Sequence, residues 1–271
     1  MRIVPLDHAH EAEAFGGKAF HLGAARRAGL PVPPGYALSV EALRAVKRGD
    51  ETVLERVRAV VAELGAPVAA RSSAIGEDGA DASFAGQHVT VLNLMTGGGA
   101  IDGLCQVHDS AHTDAALGYR VKKGISTPIQ IAAVLQKLVD PICAGVLFTR
   151  NPVTGAHEHV IEAAWGLGET VVAGLVTPDH YRLGRDGRVL EARVGEKDLA
   201  VRRVQSGGTE EAPVEEHLIH ARCLDDAGLA QLHDLATRCE GHFGPGLDLE
   251  WAQVGDAFYL LQTRPISTGH R

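Results

Sequence analysis

The chain has 271 residues, 45% apolar and 22% charged, with a net charge of −8. That length can bury a large core, and the charge excludes a general nucleic-acid or anionic-membrane surface without excluding a local phosphate site. No apolar run approaches the ~18 residues of a membrane-spanning helix, and the acidic start MRIVPLDHAHEAEAF does not read as a secretory signal.

Cys105, Cys143, Cys223 and Cys239 are widely spaced with no C-x-x-C pair, which predicts buried free thiols in a reducing cytoplasm rather than disulfides or zinc. Among the 14 histidines, His8/His10 and His157/His159 sit in turn-like polar segments. His108 and His112 are one helical turn apart without further ligands, so a metal role is not read into any of these.

In chain order, Gly17–Ala28 has helical spacing and Gly29 stops it, after which LPVPPGY reads as an extended connector. Val40–Lys47 and Glu51–Leu64 read as helices. Pro67–Arg71 reads as a short strand that enters a polar loop, Ser72–Gly86, and Gln87–Leu94 as a second strand. Helical spacing returns at Ala100–Val107 and Thr113–Lys122. Beyond it, Ile129–Lys137, Cys143–Thr149 and His159–Ala163 read as strands, and Tyr181–Arg185 with Arg188–Gly195 as a hairpin about Asp186-Gly187. A helix, Asp225–His242, precedes a last hairpin about Gly255-Asp256. The sum is an α+β protein, helix-rich first and strand-rich second, expected as two lobes, residues 1–135 and 136–271, meeting near Gln136.

Four segments carry chemistry. Gly16-Gly17-Lys18 opens a helix, where free N–H groups, the dipole and a lysine suit an anion. It is not a Walker A loop, and a glycine turn before a solvated lysine is the commoner meaning of the tripeptide alone. Val68-Ala69-Ala70-Arg71-Ser72-Ser73 places an arginine at a strand end before a loop, Ser83-Phe84-Ala85-Gly86-Gln87, whose N–H groups could fold over phosphates. The last hairpin puts Asp248 and Glu250 on one face. A three-residue loop or a bulge would set Glu250 opposite Gln262 and Asp248 opposite Arg264, with Gln262 and Arg264 sharing a face with Phe258 and Leu260. Two carboxylates and an amide oxygen suit Mg²⁺; a salt-bridged surface hairpin is the alternative. Around Glu162–Glu169, glycines flanking Leu167 permit close backbone approach, but the segment is otherwise uninformative on its own.

Taken in order, GGKAFHLGAARRAGLPVPPGYALS, VAARSSAIGEDGADASFAGQ, GVLFTRNPVTG, VIEAAWGLGETVVAGLVTPDHY and DLEWAQVGDAFYLLQTRPI resemble the ATP-binding domain of the phosphoenolpyruvate synthase, pyruvate phosphate dikinase and rifampin phosphotransferase family. The resemblance implies an ATP-grasp fold with ATP between two lobes. It implies that Lys18 and Arg71 bind phosphate, that Glu250 and Gln262 hold Mg²⁺, and that Asp248 and Arg264 accompany them. It places adenine at the hinge Gln136-Lys137-Leu138-Val139 and a mobile loop at Ser83–Gln87. In-line phosphoryl transfer follows, driven by positioning and charge neutralisation.

Family members usually continue into a domain with a carrier histidine, and no glycine-rich segment with a Ser/Thr-His pair follows Thr263-Arg264-Pro265-Ile266. Met1 and the Ser267–Arg271 tail read as natural ends, and His180, His217 and His220 read as surface or satisfied histidines. Three expectations follow: a phosphotransferase acting on a small molecule, the ATP-binding subunit of a split dikinase serving a histidine on a separate carrier protein, or an ATP sensor. The filled metal and phosphate positions favour catalysis.

Overall fold

The computed structural model describes residues 1–75, 89–111 and 130–266. Contacts divide the chain into two compact units. The first comprises Met1–Ala24, Pro34–Leu138 and Gln205–Gly208; the second comprises Ala25–Pro33, Val139–Val204 and Thr209–Arg271. The sequence suggested one divide after residue 135; the contacts exchange two short segments across it.

The first unit contains β1 (Ile3–Pro5), most of α1 (Ala12–Arg27), β2 (Gly35–Leu38), α2 (Val40–Lys47), α3 (Glu51–Leu64), β3 (Val68–Ala74), β4 (Thr90–Leu94), α4 (Gly97–Ser110) and β5 (Ile131–Lys137). Its strands form an antiparallel sheet in the order β1-β2-β5-β3-β4. Helix α2 starts where Ser39 accepts from the Ala42 N–H, and its spacing buries Val40, Leu43 and Val46 on one side. Asp50 caps α3 through the Val53 N–H, and Gly65, at φ 68°, ends it. Val57, Val60, Leu104, Val107 and Leu135 join Leu43 and Val46 in one core, each buried side chain contributing about 1.5–3 kcal/mol before the entropy of ordering it is subtracted.

The second unit contains β6 (Cys143–Phe148), β7 (His159–Trp165), α5 (Glu169–Val172), β8 (Asp179–Leu183), β9 (Val189–Arg193), β10 (Leu199–Arg203), β11 (Thr209–Pro213), α6 (Glu216–Ile219), α7 (Asp226–Phe243), β12 (Leu247–Val254) and β13 (Ala257–Pro265). Six strands form an antiparallel sheet in the order β13-β12-β6-β7-β8-β9, and β10 pairs with β11 separately. Strand alternation sends Leu147, Ile161, Tyr181 and Leu249 to a buried face. Under β8, Asp179 and Lys197 form a fully buried ion pair at 2.5 Å. Asp179 also accepts from the Gly195 and Cys223 N–H groups and from Tyr181 Oη, so every lone-pair direction of the buried carboxylate has a partner.

The strands missed in the sequence are β1, β2, β10 and β11, none longer than five residues. β1 and β2 are three and four residues long, and β2 begins inside the segment LPVPPGY read as a connector. β11, Thr-Glu-Glu-Ala-Pro, is almost wholly exposed and shows no apolar alternation. Of the two readings of His159, the strand holds and the polar turn is overturned: it opens β7 and is fully buried. The four cysteines are free, and no described helix is long and apolar enough to cross a membrane. The helix expected at Thr113–Lys122 lies outside the described residues.

Candidate functional site

Helix α1 is interrupted at Gly16, whose φ of 77° and ψ of 165° belong to a region essentially reserved for glycine. The regular helix therefore begins at Gly17-Lys18, as the Gly-Gly-Lys spacing implied. A Cβ on Gly16 would lie 2.2 Å from the Ser73 carbonyl oxygen, so only glycine lets this turn seat against β3. Ser73 Oγ then accepts from the Ala19 N–H at 3.0 Å, capping the helix from a distant strand. One of the helix's N-terminal donors is thus occupied by the protein itself.

Arg71 and Ser73 share a face of β3, so this contact brings the Lys18 segment to the Arg71 segment. An Arg71 guanidinium N–H donates to Gln136 Oε1 at 3.4 Å from the neighbouring β5. Lys18, Arg71 and Gln136 are 5%, 7% and 3% exposed. Buried cationic side chains of this kind suit phosphate oxygens.

The expected hinge ends β5. The N–H groups of Lys137 and Leu138 donate to the Pro34 and Pro67 carbonyls, at 2.9 and 3.0 Å, and Lys137 Nζ donates to the Gly65 and Ala66 carbonyls. A base held at this segment would have to use other groups, and Val139, half-buried, is the next residue along. The expected phosphate-covering loop, Ser83, Phe84, Ala85, Gly86 and Gln87, lies outside the described residues.

In the second unit, Val254 pairs with Ala257, so Gly255-Asp256 is a two-residue loop. The register shifts between Glu250 and Trp251, leaving Leu261 as an extra, bulged residue. Glu250 thereby faces Gln262 and Asp248 faces Arg264, the pairing expected from the sequence, reached by the bulge rather than the longer loop. The bulge also corrects one expectation. Leu260 pairs with Trp251 on the buried face and does not share a face with Gln262 and Arg264. A bulge lets both the apolar and the polar stripes match their partners, which an unbroken ladder could not do.

Arg264 Nε and Nη2 both lie 2.9 Å from Asp248 Oδ2. Burial pushes the Asp248 carboxyl above its ordinary range; Arg264 opposes this and neighbouring Glu250 adds to it. Among the described residues no three His, Cys, Asp or Glu side chains converge as a metal cage.

The same face extends much further than the hairpin. Pairing runs Gln262–Glu250–Val146–Glu162–His180–Arg193 in one rank across six strands. The next rank runs Arg264–Asp248–Phe148–Val160–Arg182–Glu191. Residues paired directly across strands share a face, so Glu162, His180 and Arg182 belong to the surface that carries Glu250. Sequence reasoning passed over them, treating Glu162 as uninformative and His180 as a satisfied surface histidine. Period-two spacing within each strand was visible, but the register between strands was not.

The buried His159 lies off this face. His159 Nδ1 is 3.2 Å from His233 Nδ1, and Arg185, which also binds Glu240, approaches His159 Nε2 at 2.7 Å. Burial, reinforced by Arg185 and His233, lowers the His159 imidazole from 6.5 to about 4.

Sequence comparison gives the family. The profile of the pyruvate phosphate dikinase AMP/ATP-binding domain matches residues 48–271, and the chain belongs to that family. A probable phosphoenolpyruvate synthase from Methanothermobacter thermautotrophicus is 34% identical, over 93% of this chain and 44% of its own length. A rifampicin phosphotransferase from Streptomyces sviceus is 32% identical, over 98% of this chain and 36% of its own. A rifampicin phosphotransferase from Bacillus subtilis is 29% identical, over 93% and 34%. The chain spans less than half the length of these relatives.

Proposed function

We propose that the chain binds ATP in the ATP-grasp manner and, with Mg²⁺, passes a phosphoryl group from it to a small-molecule acceptor. The observation that carries this reading is the Glu250–Gln262 pair, set across β12 and β13 by the Leu261 bulge beside Asp248–Arg264. The donors at this end of the sheet suit a metal: Asp248 and Glu250 share a face, and the Gln262 amide pairs across from Glu250. Carboxylate and amide oxygens are hard donors, and Mg²⁺ is typically held by one or two carboxylates together with substrate phosphates and water. Glu250 and Gln262 would hold it, with Asp248 and Arg264 fixing the charge around them. Bound there, Mg²⁺ supplies charge neutralisation on phosphate oxygens.

The chain's own residues supply the rest of the reading. Lys18 and Arg71 present cationic donors to phosphate oxygens and hold them in place through the reaction. Gln136, tied to Arg71, fixes the guanidinium's direction. No residue in either set is placed as a nucleophile, so transfer depends on positioning and charge.

Phosphorus-31 NMR of ATP incubated with Mg²⁺ and candidate acceptors tests this. The expected result is ADP and a phosphorylated acceptor, with turnover falling at least about 100-fold in Glu250→Ala while the melting temperature is kept. Full activity in that variant would overturn the reading. AMP with phosphate on a histidine of a second protein would replace the small-molecule acceptor with a carrier, and tight ATP binding without consumption would make the chain a sensor.

A further inference from the structure

Beyond the hairpin, the polar face of the six-stranded sheet dips into a cavity of about 360 Å³. That is a size typical of small-molecule sites. Phe148 and Val160, with Pro152 and Val153 of the turn after β6, give it an apolar lining. Asn151 holds that turn by accepting from the Val153 and Thr154 N–H groups at 2.9 and 3.0 Å.

The charges around the cavity are unevenly committed. Arg182 gives all three guanidinium nitrogens to carboxylates: Nε and Nη2 to Glu158 at 3.0 and 2.8 Å, Nη1 to Glu191 at 3.1 Å. Asn151 also donates to Glu158, and Arg193 lies 3.5 Å from Glu191. Arg182 holds both Glu158 and Glu191 below the usual carboxylate range, the expected sign of acids whose charge is matched. Arg182 is therefore a brace that ties Glu158 to Glu191 and is already matched by two carboxylates.

Glu162 differs. Among the described residues its nearest ionisable neighbour is His180, whose Nδ1 stands 3.9 Å away, beyond hydrogen-bonding reach. Both side chains are partly exposed toward the cavity, so the site ends in one carboxylate and one imidazole separated by room for a ligand atom. Glu162 and Glu250 lie in the same rank with only β6 between their strands, a separation of about 10 Å. A small molecule lying on Val146, Phe148 and Val160 would span that distance.

We propose that this trough seats the phosphoryl acceptor, and that the acceptor is an amphipathic small molecule with an apolar body and an ammonium or hydroxyl donor directed at Glu162. An anionic acceptor is disfavoured there, because Arg182 and Arg193 are each paired with a carboxylate while Glu162 has no ion-pair contact closer than His180 at 3.9 Å. The word acceptor rests on the phosphotransfer reading above; the binding preference does not.

Titration calorimetry with tyramine and with 3-(4-hydroxyphenyl)propionate separates the two. The probes share a ring and chain length and carry opposite charge at their ends. Tyramine is expected to bind at least ten-fold more tightly than the acid, without nucleotide present. Glu162→Gln is expected to abolish that preference while leaving Mg-ATP affinity and the melting temperature unchanged. Equal binding of the two probes, no binding of either, or a preference that survives Glu162→Gln would overturn the proposal, and the comparison on the unaltered chain stands even if the variant folds poorly. Loss of turnover in Glu250→Ala bears on the phosphotransfer reading alone, so the failures of the two ideas are distinguishable.

Discussion

Lys18, Arg71 and Gln136 are buried within the first unit, whereas Asp248, Glu250 and Arg264 stand partly or largely exposed on a sheet face of the second. The first set is held by non-local contacts: a glycine turn against β3, a serine capping a helix from another strand, an arginine tied to a glutamine. The second set is held by the register of one hairpin. The difference teaches where function and folding are coupled. Changes on the first side should cost stability before function can be measured, and changes on the second should cost function while the fold survives.

The strongest way to break that contrast is Gly16→Ala. The residue's backbone conformation costs a non-glycine residue about 1–3 kcal/mol, and the collision with the Ser73 carbonyl adds a repacking cost of similar size. A loss of about 2–5 kcal/mol in denaturant melts is expected. A fully stable Gly16→Ala would mean that the turn does not seat on β3 as described.

A test in the second unit, away from the sheet's polar face, follows from His159. Its folded value of about 4 lies below its ordinary 6.5, so the folded state binds fewer protons than the unfolded chain. Stability is therefore complete above pH 6.5 and lost as pH falls toward 4, by about 3 kcal/mol. His159→Gln will be less stable at every pH, but its stability should fall less steeply over that window than that of the unaltered chain. Parallel curves would remove His159 from the account.

These residues also mark how far the sequence could be read. The helices α2 and α3 were plain from caps and apolar spacing, and the β12–β13 pairing followed from matching two stripes within twenty residues of chain. Gly16 and Ser73 lie 57 residues apart in sequence, and nothing local records that they touch. His159 carried no mark of burial because its partners, Arg185 and His233, come from a later turn and helix. Glu162, His180 and Arg182 look like ordinary solvated positions until strand order puts them in rank with Glu250.

A smaller effect is expected at Ser73→Ala. The Ala19 N–H loses its acceptor, which for a helix cap costs about 1–2 kcal/mol. Lys18 adjoins Ala19, so Mg-free ATP affinity should weaken in the same variant, and restoring an oxygen with Ser73→Thr should recover part of both. Loss of affinity without loss of stability would blur the line between the two regions.

Arg264→Ala should have the least effect on the fold. Its side chain is about half exposed, and a pair so placed contributes no more than about 1 kcal/mol after solvent screening. The variant nevertheless removes the group that opposes the burial-driven rise of the Asp248 carboxyl, so that rise becomes larger. A carboxyl raised in the folded state destabilises above its folded value, and the penalty is relieved as pH falls and both states become protonated. The stability deficit of Arg264→Ala should therefore be greatest near neutral pH and shrink toward pH 4, while ATP turnover falls far more than stability does. Denaturant melts across that range, set beside turnover in Mg²⁺, check both halves. A deficit that grows on acidification would show that Arg264 holds the fold through some partner other than Asp248, and that the metal-side hairpin is coupled to folding after all.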